Sequence, residues 1–459
     1  MKTPSFLQSL LTFSAIISVI GFGHFALHTS LHSLMLISLI IAGVSALPLS
    51  QDKFTSIRKA MNTGIQTALP AIYIFLLIGV LIAALIQSGT VASLIYYGLT
   101  FISPAVFLPA GLLLCSLMSI ATGTSWGTVG TAGVVLVSLG QTMGLPIPIV
   151  AGMVVSGASF GDKMSPVSDT TNLAAMSSGT DLYRHIKSMT YTTGPAFLLT
   201  LIAFSLIGFF YSQHQLVQID LSQLLSTITD TFSISIITLL PLLVMIIMSV
   251  KKYSAEVAML SASCIAIILA TWLQQANLST VLTSLYNGGN FNTGLENLNH
   301  LFNRGGMASM MWTLSLALMA LALGGILNHF GFLHVLIKGI LAQVKRAGTL
   351  VATTILACFI GNIAMGEAYM SIILGGNLFG EAFDEQSLDR SVMSRSLEEG
   401  ATLTTALIPW TTAGAFFSSS LGVNVFDYAP WAILNWLNPL LSIAFAYLGI
   451  AMFKKHTSR

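Results

Sequence analysis

Long apolar runs separated by short polar joints constrain this chain more than any other feature. They lie near residues 9–27, 34–49, 68–86, 90–120, 124–140, 146–160, 190–211, 232–250, 255–274, 308–327, 331–343, 348–380, 401–420 and 429–453. A helix needs about 20 apolar residues to cross a bilayer, so these runs predict about eleven to thirteen transmembrane helices or half-helices. Charge usage agrees: 7% of the 459 residues are charged, against about 25% in soluble domains. So few charges cannot cover a soluble surface of this size. The expected class is an all-α polytopic membrane protein. A net charge of +2 provides no basic field for nucleic acid. Cys115, Cys264 and Cys358 sit in apolar surroundings without metal-ligand spacing, and are expected as buried small hydrophobes. Lys2 precedes an apolar run that has no small-residue cleavage site, so a retained first helix is expected rather than a signal peptide.

Short basic joints at Lys53/Arg58/Lys59, Lys251/Lys252 and Lys345/Arg346, with the Lys454-Lys455 tail, place those joints and both termini in the cytoplasm. Residues 276–306 are polar and rich in Asn and Gly, as in an external or partly re-entrant loop. The densest charge lies at 381–399, from Glu381 to Glu399. It is expected as a solvated loop except for Glu398 and Glu399, which abut the next span. His24, His28 and His32 recur every fourth residue, so one helix would align them. Histidines near lipid headgroups explain that stripe more simply than a metal site does. The expected division is 1–64 for N-terminal helices and a basic loop, 65–250 for a first transporter repeat, 251–307 for a connecting helix and polar loop, and 308–459 for a second repeat.

The stretch from Gly152 onward, with Asp162, Lys163, Ser165, Pro166, Ser168, Asp169, Thr170, Thr171 and Asn172, puts ionisable groups inside the apolar body. Each such group costs about 2.5–3.5 kcal/mol at a bilayer centre unless it faces a partner or a water-filled cavity. Gly157, Gly161 and Pro166 interrupt the helix among them. A broken helix with polar side chains at membrane depth is how transporters build ion sites. A carboxylate such as Asp162 or Asp169 binds Na+ or H+ but hardly both, and that competition gives exchange. Ser168, Thr170, Thr171 and Asn172 supply the oxygen ligands that a hard cation wants. The blander reading is that Asp162 and Lys163 neutralise each other and that Asp169 caps a helix starting at Thr170.

Further candidates follow the same reasoning. Glu367, beside Gly366 and Tyr369, is costly between apolar spans unless used. Glu398 and Glu399 precede Thr402, Thr404, Thr405, Thr411 and Thr412, whose hydroxyls serve either as ligands or to satisfy backbone near Pro409. Gly123-Thr-Ser125-Trp-Gly127 matches the serine-hydrolase elbow. That motif needs a strand and an α/β sheet, and here both flanks are apolar helices. An intramembrane hydrolase using Ser125 would have only His329 and His334 as candidate partners. A weak internal repeat joins the halves. Asp181 and Asn424 each lie fifteen residues beyond Pro166 and Pro409, Pro195 and Pro439 close the two units, and Thr122–Thr131 pairs with Gly361–Ser371. Interrupted polar spans in corresponding places point to a site at a repeat interface.

Gly123-Thr-Ser-Trp-Gly-Thr-Val-Gly130, the block from Ser156 to Ala174, and His185 to Pro195 resemble the NhaC family of Na+/H+ antiporters. Ile408-Pro409-Trp410 and Tyr428 to Pro439 are second-half markers. The resemblance covers roughly residues 60–453. It implies a multi-pass secondary antiporter of the bacterial inner membrane with paired re-entrant hairpins. Its partners would be Na+, H+ and the lipid bilayer, with no cofactor and a plausible homodimer. It would place Na+ near Asp169, Ser168, Thr171 and Asn172, and a second-half site near Thr411 and Thr412. Protons would load Asp169, shared with Asp162 or Glu367. The chain departs from the family pattern at Thr411, where an Asn is expected, and at Ala368, where a Gln is expected. The family look also covers exchangers of organic acids such as malate for lactate. A small acid or amino acid is therefore the alternative substrate, with Arg184, Lys163 or Arg304 meeting the anion.

Overall fold

A computed structural model describes residues 3–454 except 51, 53, 67–68, 102–103, 167, 215–220, 252, 296–297 and 300–301. Lys2, Lys53, Lys252 and Lys455, part of the topology reading, lie outside the described residues. The rest is helical, and the one β-bridge among the described residues joins Leu388 to Lys454.

Among the described residues six helices are long and apolar enough to cross a membrane: Phe6–Phe25, Leu31–Leu49, Ala105–Thr122, Leu182–Tyr211, Met307–His329 and Ala347–Met365. Two bent pairs raise the number to as many as eight. Shorter apolar helices, Glu256–Trp272, Phe332–Leu341 and Ile433–Tyr447, add half-length elements of the kind the apolar runs allow. Ile147–Met164 and Arg390–Thr405 carry charges, and nearly every residue of both is buried inside the protein. Where neighbouring helices replace lipid, polar side chains are tolerated. The outer face has the opposite chemistry. Leu198, Leu199, Ile202, Leu206, Phe209 and Phe210 form an exposed apolar stripe on the helix Leu182–His214, as contact with hydrocarbon requires. Hydroxyls on that helix bond back to their own turn, Thr200 to Ala196 O and Ser205 to Leu201 O, both at 2.8 Å.

Several expected continuous spans are broken. The run 90–120 divides into Thr90–Phe101 and Pro104–Thr122, and 348–380 into Ala347–Met365 and Ala368–Glu385. The region 401–420 divides into the end of Arg390–Thr405 and the helix Thr412–Leu421. The charged run 381–399 is not a solvated loop. It spans the end of one helix and most of the next, Arg390 pairs with Asp384 at 2.7 Å, and Arg395 is fully buried with Glu398 and Glu399. The polar region 276–306 contains the helix Leu278–Asn287. The three histidines do not share a helix: His24 ends Phe6–Phe25, His28 has left-handed backbone at φ 50° between helices, and His32 lies in Leu31–Ala46. Cys115 and Cys358 are buried, but Cys264 is exposed.

The two halves repeat one unit. In each, a long helix ends at a glycine with positive φ, Gly123 (71°) or Gly366 (68°). The next residue, Thr124 or Glu367, has extended backbone (φ −146° and −148°), and its side chain caps a new helix. Only glycine adopts the left-handed turn without strain. Later in each unit a helix breaks at a proline, Pro166 or Pro409. A ten-residue helix follows, Asp169–Ser178 or Thr412–Leu421, and ends at left-handed Gly179 or Gly422. By subtraction of residue numbers all these pairs are 243 apart. This register pairs Thr122 with Met365, four residues beyond the expected Gly361.

The shared packing explains why the unit repeats. A Cβ on Gly157 would stand 2.7 Å from Leu112 O and 2.8 Å from Cys115 Cβ. A Cβ on Gly400 would stand 2.4 Å from Ile355 O and 2.8 Å from Cys358 Cβ. These residues are again 243 apart, so the same backbone-to-backbone approach, which small residues permit in membrane helices, sets both helix pairs. The halves interlock. Asp169–Ser178 packs on Ala368–Glu385 and Arg390–Thr405, and Leu182–His214 packs on Ile433–Tyr447.

Candidate functional site at the meeting of four helix breaks

The four breaks converge on one cavity of about 790 Å3. Gly123, Thr124 and Ser125 line it from the first break, and Ser168, Asp169 and Thr170 from the second. Glu367, Ala368 and Tyr369 line it from the third, and Thr405, Thr412 and Ala413 from the last. Each break has a local cause. Pro166 has no N–H and disfavours helical backbone in the residue before it, so the helix Ile147–Met164 stops and Ser165 turns extended. Ser168 then begins the next helix from extended backbone. The helix starts at Asp169 with Ser168 in the capping position, one residue earlier than the reading of Asp169 as the cap. The last break closes when Thr411 Oγ1 donates to Thr405 O at 2.6 Å and accepts from Gly414 N at 3.0 Å.

Asp162 is a buried acid at the cavity wall, as is Glu367. Its Oδ2 accepts from Ser125 Oγ at 2.6 Å and Ser125 N at 3.2 Å. Its Oδ1 accepts from Ser168 Oγ at 2.5 Å. A carboxylate with three donors is stable without a counter-ion in contact, because hydrogen bonds to a charged group are about twice as strong as neutral ones. Lys163, fully buried, forms its ion pair with Glu398, Nζ to Oε1 at 3.6 Å. The bland reading of an Asp162–Lys163 neutral pair gives way to this longer-range pairing. Across the cavity Glu367 Oε2 accepts from Thr412 Oγ1 at 2.6 Å.

The other sequence candidates divide. Asp169 lines the cavity with an exposed side chain. Thr170 lines it and donates to Glu398 at 3.1 Å. Thr171 donates to the carbonyls of Asp162 and Lys163 at 3.2 and 3.4 Å. Asn172 donates to Pro166 O and Ser168 O at 3.1 and 2.8 Å. Thr171, Asn172 and Thr411 therefore prop the breaks from behind, and none of them lines the cavity. Ser125 has Asp162 as its side-chain partner, while His329 is exposed at the end of its own helix. That is not the arrangement of a serine nucleophile with a histidine base. Arg184 is exposed and pairs with Asp389 at 3.8 Å. Arg304 donates to Ser420 O at 3.2 Å beside a separate pocket of about 300 Å3.

Sequence reasoning missed Ser125 as a partner of Asp162, having singled it out as a candidate nucleophile. It also missed Glu256, which lines the cavity from the first turn of Ala255–Trp272. No local signal marked either. The lining offers carboxylate and hydroxyl oxygens, the donor set of hard cations. Its carboxylates, from Asp162, Asp169, Glu256 and Glu367, outnumber its one ammonium, from Lys163.

The profile of the Na+/H+ antiporter family matches residues 2–161 and 157–450. The Na(+)/H(+) antiporter NhaC of Alkalihalophilus pseudofirmus is 37% identical over 98% of this chain and 97% of its own length. The malate-2H(+)/Na(+)-lactate antiporter of Bacillus subtilis is 38% identical over 86% of this chain and 85% of its own. The arginine/ornithine antiporter ArcD of Halobacterium salinarum is 31% identical over 99% and 94%. With its apolar spans and near-full-length relatives, this multi-pass membrane protein belongs to the Na+/H+ antiporter family.

Proposed function

We propose that the chain exchanges Na+ for H+ across the bacterial inner membrane, with Asp162 as the carboxylate for which the two ions compete. The observation that carries this reading is the setting of Asp162, a buried acid at a cavity wall with hydroxyls on both of its oxygens. Na+ arriving there meets one carboxylate and two hydroxyl oxygens. The hydroxyl protons turn away, and the Ser125 and Ser168 oxygens become ligands. A proton arriving instead neutralises the carboxylate and removes the attraction for Na+. One negative charge thus serves one occupant at a time, which is the condition for exchange. Asp169, exposed on the lining, draws cations into the cavity. Glu367 with Thr412 offers a second carboxylate–hydroxyl pair from the other half.

The test uses everted membrane vesicles with an acidic interior and a dye reporting internal pH. Addition of Na+ should release protons in the wild type and not in Asp162→Asn, with choline inert in both. Full Na+-driven proton release by a membrane-inserted Asp162→Asn would remove this carboxylate from the mechanism.

Cavity size favours a second reading. About 790 Å3 falls within the range of small-molecule sites, roughly 300–1,000 Å3, and far exceeds one ion. Two relatives are named for organic substrates. Under this reading the cavity admits a small amino acid or organic acid, and its excess of carboxylates favours the more cationic solute. Uptake of labelled malate, lactate, arginine and ornithine by the same vesicles separates the readings.

A further inference from the structure

Glu398 is buried in the helix Arg390–Thr405 and does not line the cavity. An ion on Asp162 therefore does not touch it. Its Oε1 accepts from Thr170 Oγ1 at 3.1 Å and from Thr402 Oγ1 at 3.4 Å, and lies 3.6 Å from Lys163 Nζ. Its Oε2 lies 3.2 Å from His185 Nε2, and His185 Nδ1 lies 2.5 Å from Ser394 Oγ. Two groups that can carry positive charge thus hold this carboxylate from the opposite half of the chain.

The consequence runs through two hydroxyls. A hydroxyl has one proton to give. Thr170 gives its proton to Glu398, so towards Ser168, 3.1 Å away, Thr170 Oγ1 offers only lone pairs. Ser168 donates to Asp162 Oδ1. An ion on Asp162 would repel that proton. The proton needs another acceptor if the Ser168 oxygen is to face the ion, and Thr170 is that acceptor.

We propose that Glu398 is a positioning residue for the cation site. By engaging the proton of Thr170, it turns the Ser168 proton away from an ion bound at Asp162. The chain Ser168 to Thr170 to Glu398 then aligns both hydroxyl dipoles with their oxygen ends towards the cation. This inference rests on Asp162 as the exchange site.

The test is a double-mutant cycle in proteoliposomes, reading the KM for Na+ and the maximal rate of Na+-driven proton movement. Wild type is measured first, and a wild type without Na+-driven proton movement refutes the exchange reading itself. Thr170→Val and Glu398→Gln should each raise the KM about tenfold, with maximal rates within about twofold of wild type. Because Glu398 acts through Thr170, the double variant should be no worse than Thr170→Val alone. Thr170→Ser, which restores the hydroxyl, should recover the wild-type KM. If Glu398→Gln does not reach the membrane, His185→Gln takes its place, since it loosens the carboxylate without uncovering Lys163. A KM within about twofold of wild type for the Glu398 or His185 variant overturns the inference. So does a double variant whose effects multiply, which would mean that Glu398 acts independently of Thr170.

Discussion

Replacing Ser168 by alanine isolates one oxygen of the proposed ion site while leaving its charge in place. Asp162 would keep Ser125 Oγ at 2.6 Å and Ser125 N at 3.2 Å, both on Oδ2. Oδ1 would lose Ser168 Oγ. The carboxylate is still hydrogen-bonded, so the variant should fold and insert. Na+ loses one of the two hydroxyl ligands available at Asp162. A hydrogen bond or ligand contact to a charged group contributes about 1.5–3 kcal/mol, and about 1.4 kcal/mol is a factor of ten in affinity. The KM for Na+ should therefore rise roughly ten- to hundredfold at fixed pH, with the maximal rate within a few-fold. The assay is Na+-driven dequenching of a pH dye in proteoliposomes, titrated with Na+ against a choline background. Ser119→Ala is the control. That hydroxyl donates to Ala158 O at 2.7 Å and does not line the cavity, so its loss should leave the KM unchanged. A Ser168→Ala KM within about twofold of wild type, or an equal rise in Ser119→Ala, would refute the assignment.

Asp169 is exposed, so its charge is screened and contributes about 1 kcal/mol or less; Asp169→Asn should raise the KM less than tenfold, most visibly at low ionic strength. Gly157→Ala and Gly400→Ala should both lower the melting temperature of detergent-purified protein, since overpacking costs about 1–3 kcal/mol. Gly400→Ala should be the more damaging, because its Cβ would meet a backbone oxygen at 2.4 Å rather than 2.7 Å; equal or absent shifts would contradict the close approach. N-ethylmaleimide should spare buried Cys115 and Cys358 in the folded protein and modify both after denaturation, read as adducts by mass spectrometry. A folded-state adduct on Cys115 would mean that the first helix pair opens.

The features that break helices are local, and for that reason they were readable from the chain. Pro166 and Pro409 stop a helix through their own missing N–H and ring, whatever surrounds them. Their equal distances to Asp181 and Asn424 mark the repeat in the chain itself. The apolar runs determined the membrane class for a similar reason, since hydrocarbon selects composition segment by segment. The glycine breaks at Gly123 and Gly366 were harder to read. A glycine inside an apolar run looks the same whether it packs against a neighbour, as Gly157 does, or turns the chain. The single span expected over 348–380 failed there, at Gly366, whereas that over 401–420 failed at Pro409.

Tertiary structure alone decided which acid meets which hydroxyl. Ser125 and Asp162 are 37 residues apart, and Thr170 and Glu398 are 228 apart. Those pairings depend on how closely helices cross, and that distance is set by backbone contacts such as Gly157 on Leu112. Sequence proximity grouped Thr171 and Asn172 with Asp169 and Ser168 as ligands of Na+. In the folded chain both donate to backbone carbonyls of the break, Thr171 to Asp162 O and Lys163 O and Asn172 to Pro166 O and Ser168 O. The oxygen-rich chemistry of the region was written in its residues. The enclosure of Asp162 by Ser125 and Ser168 came from packing within the first repeat, and the place of Glu398 behind Thr170 from the packing of one repeat against the other.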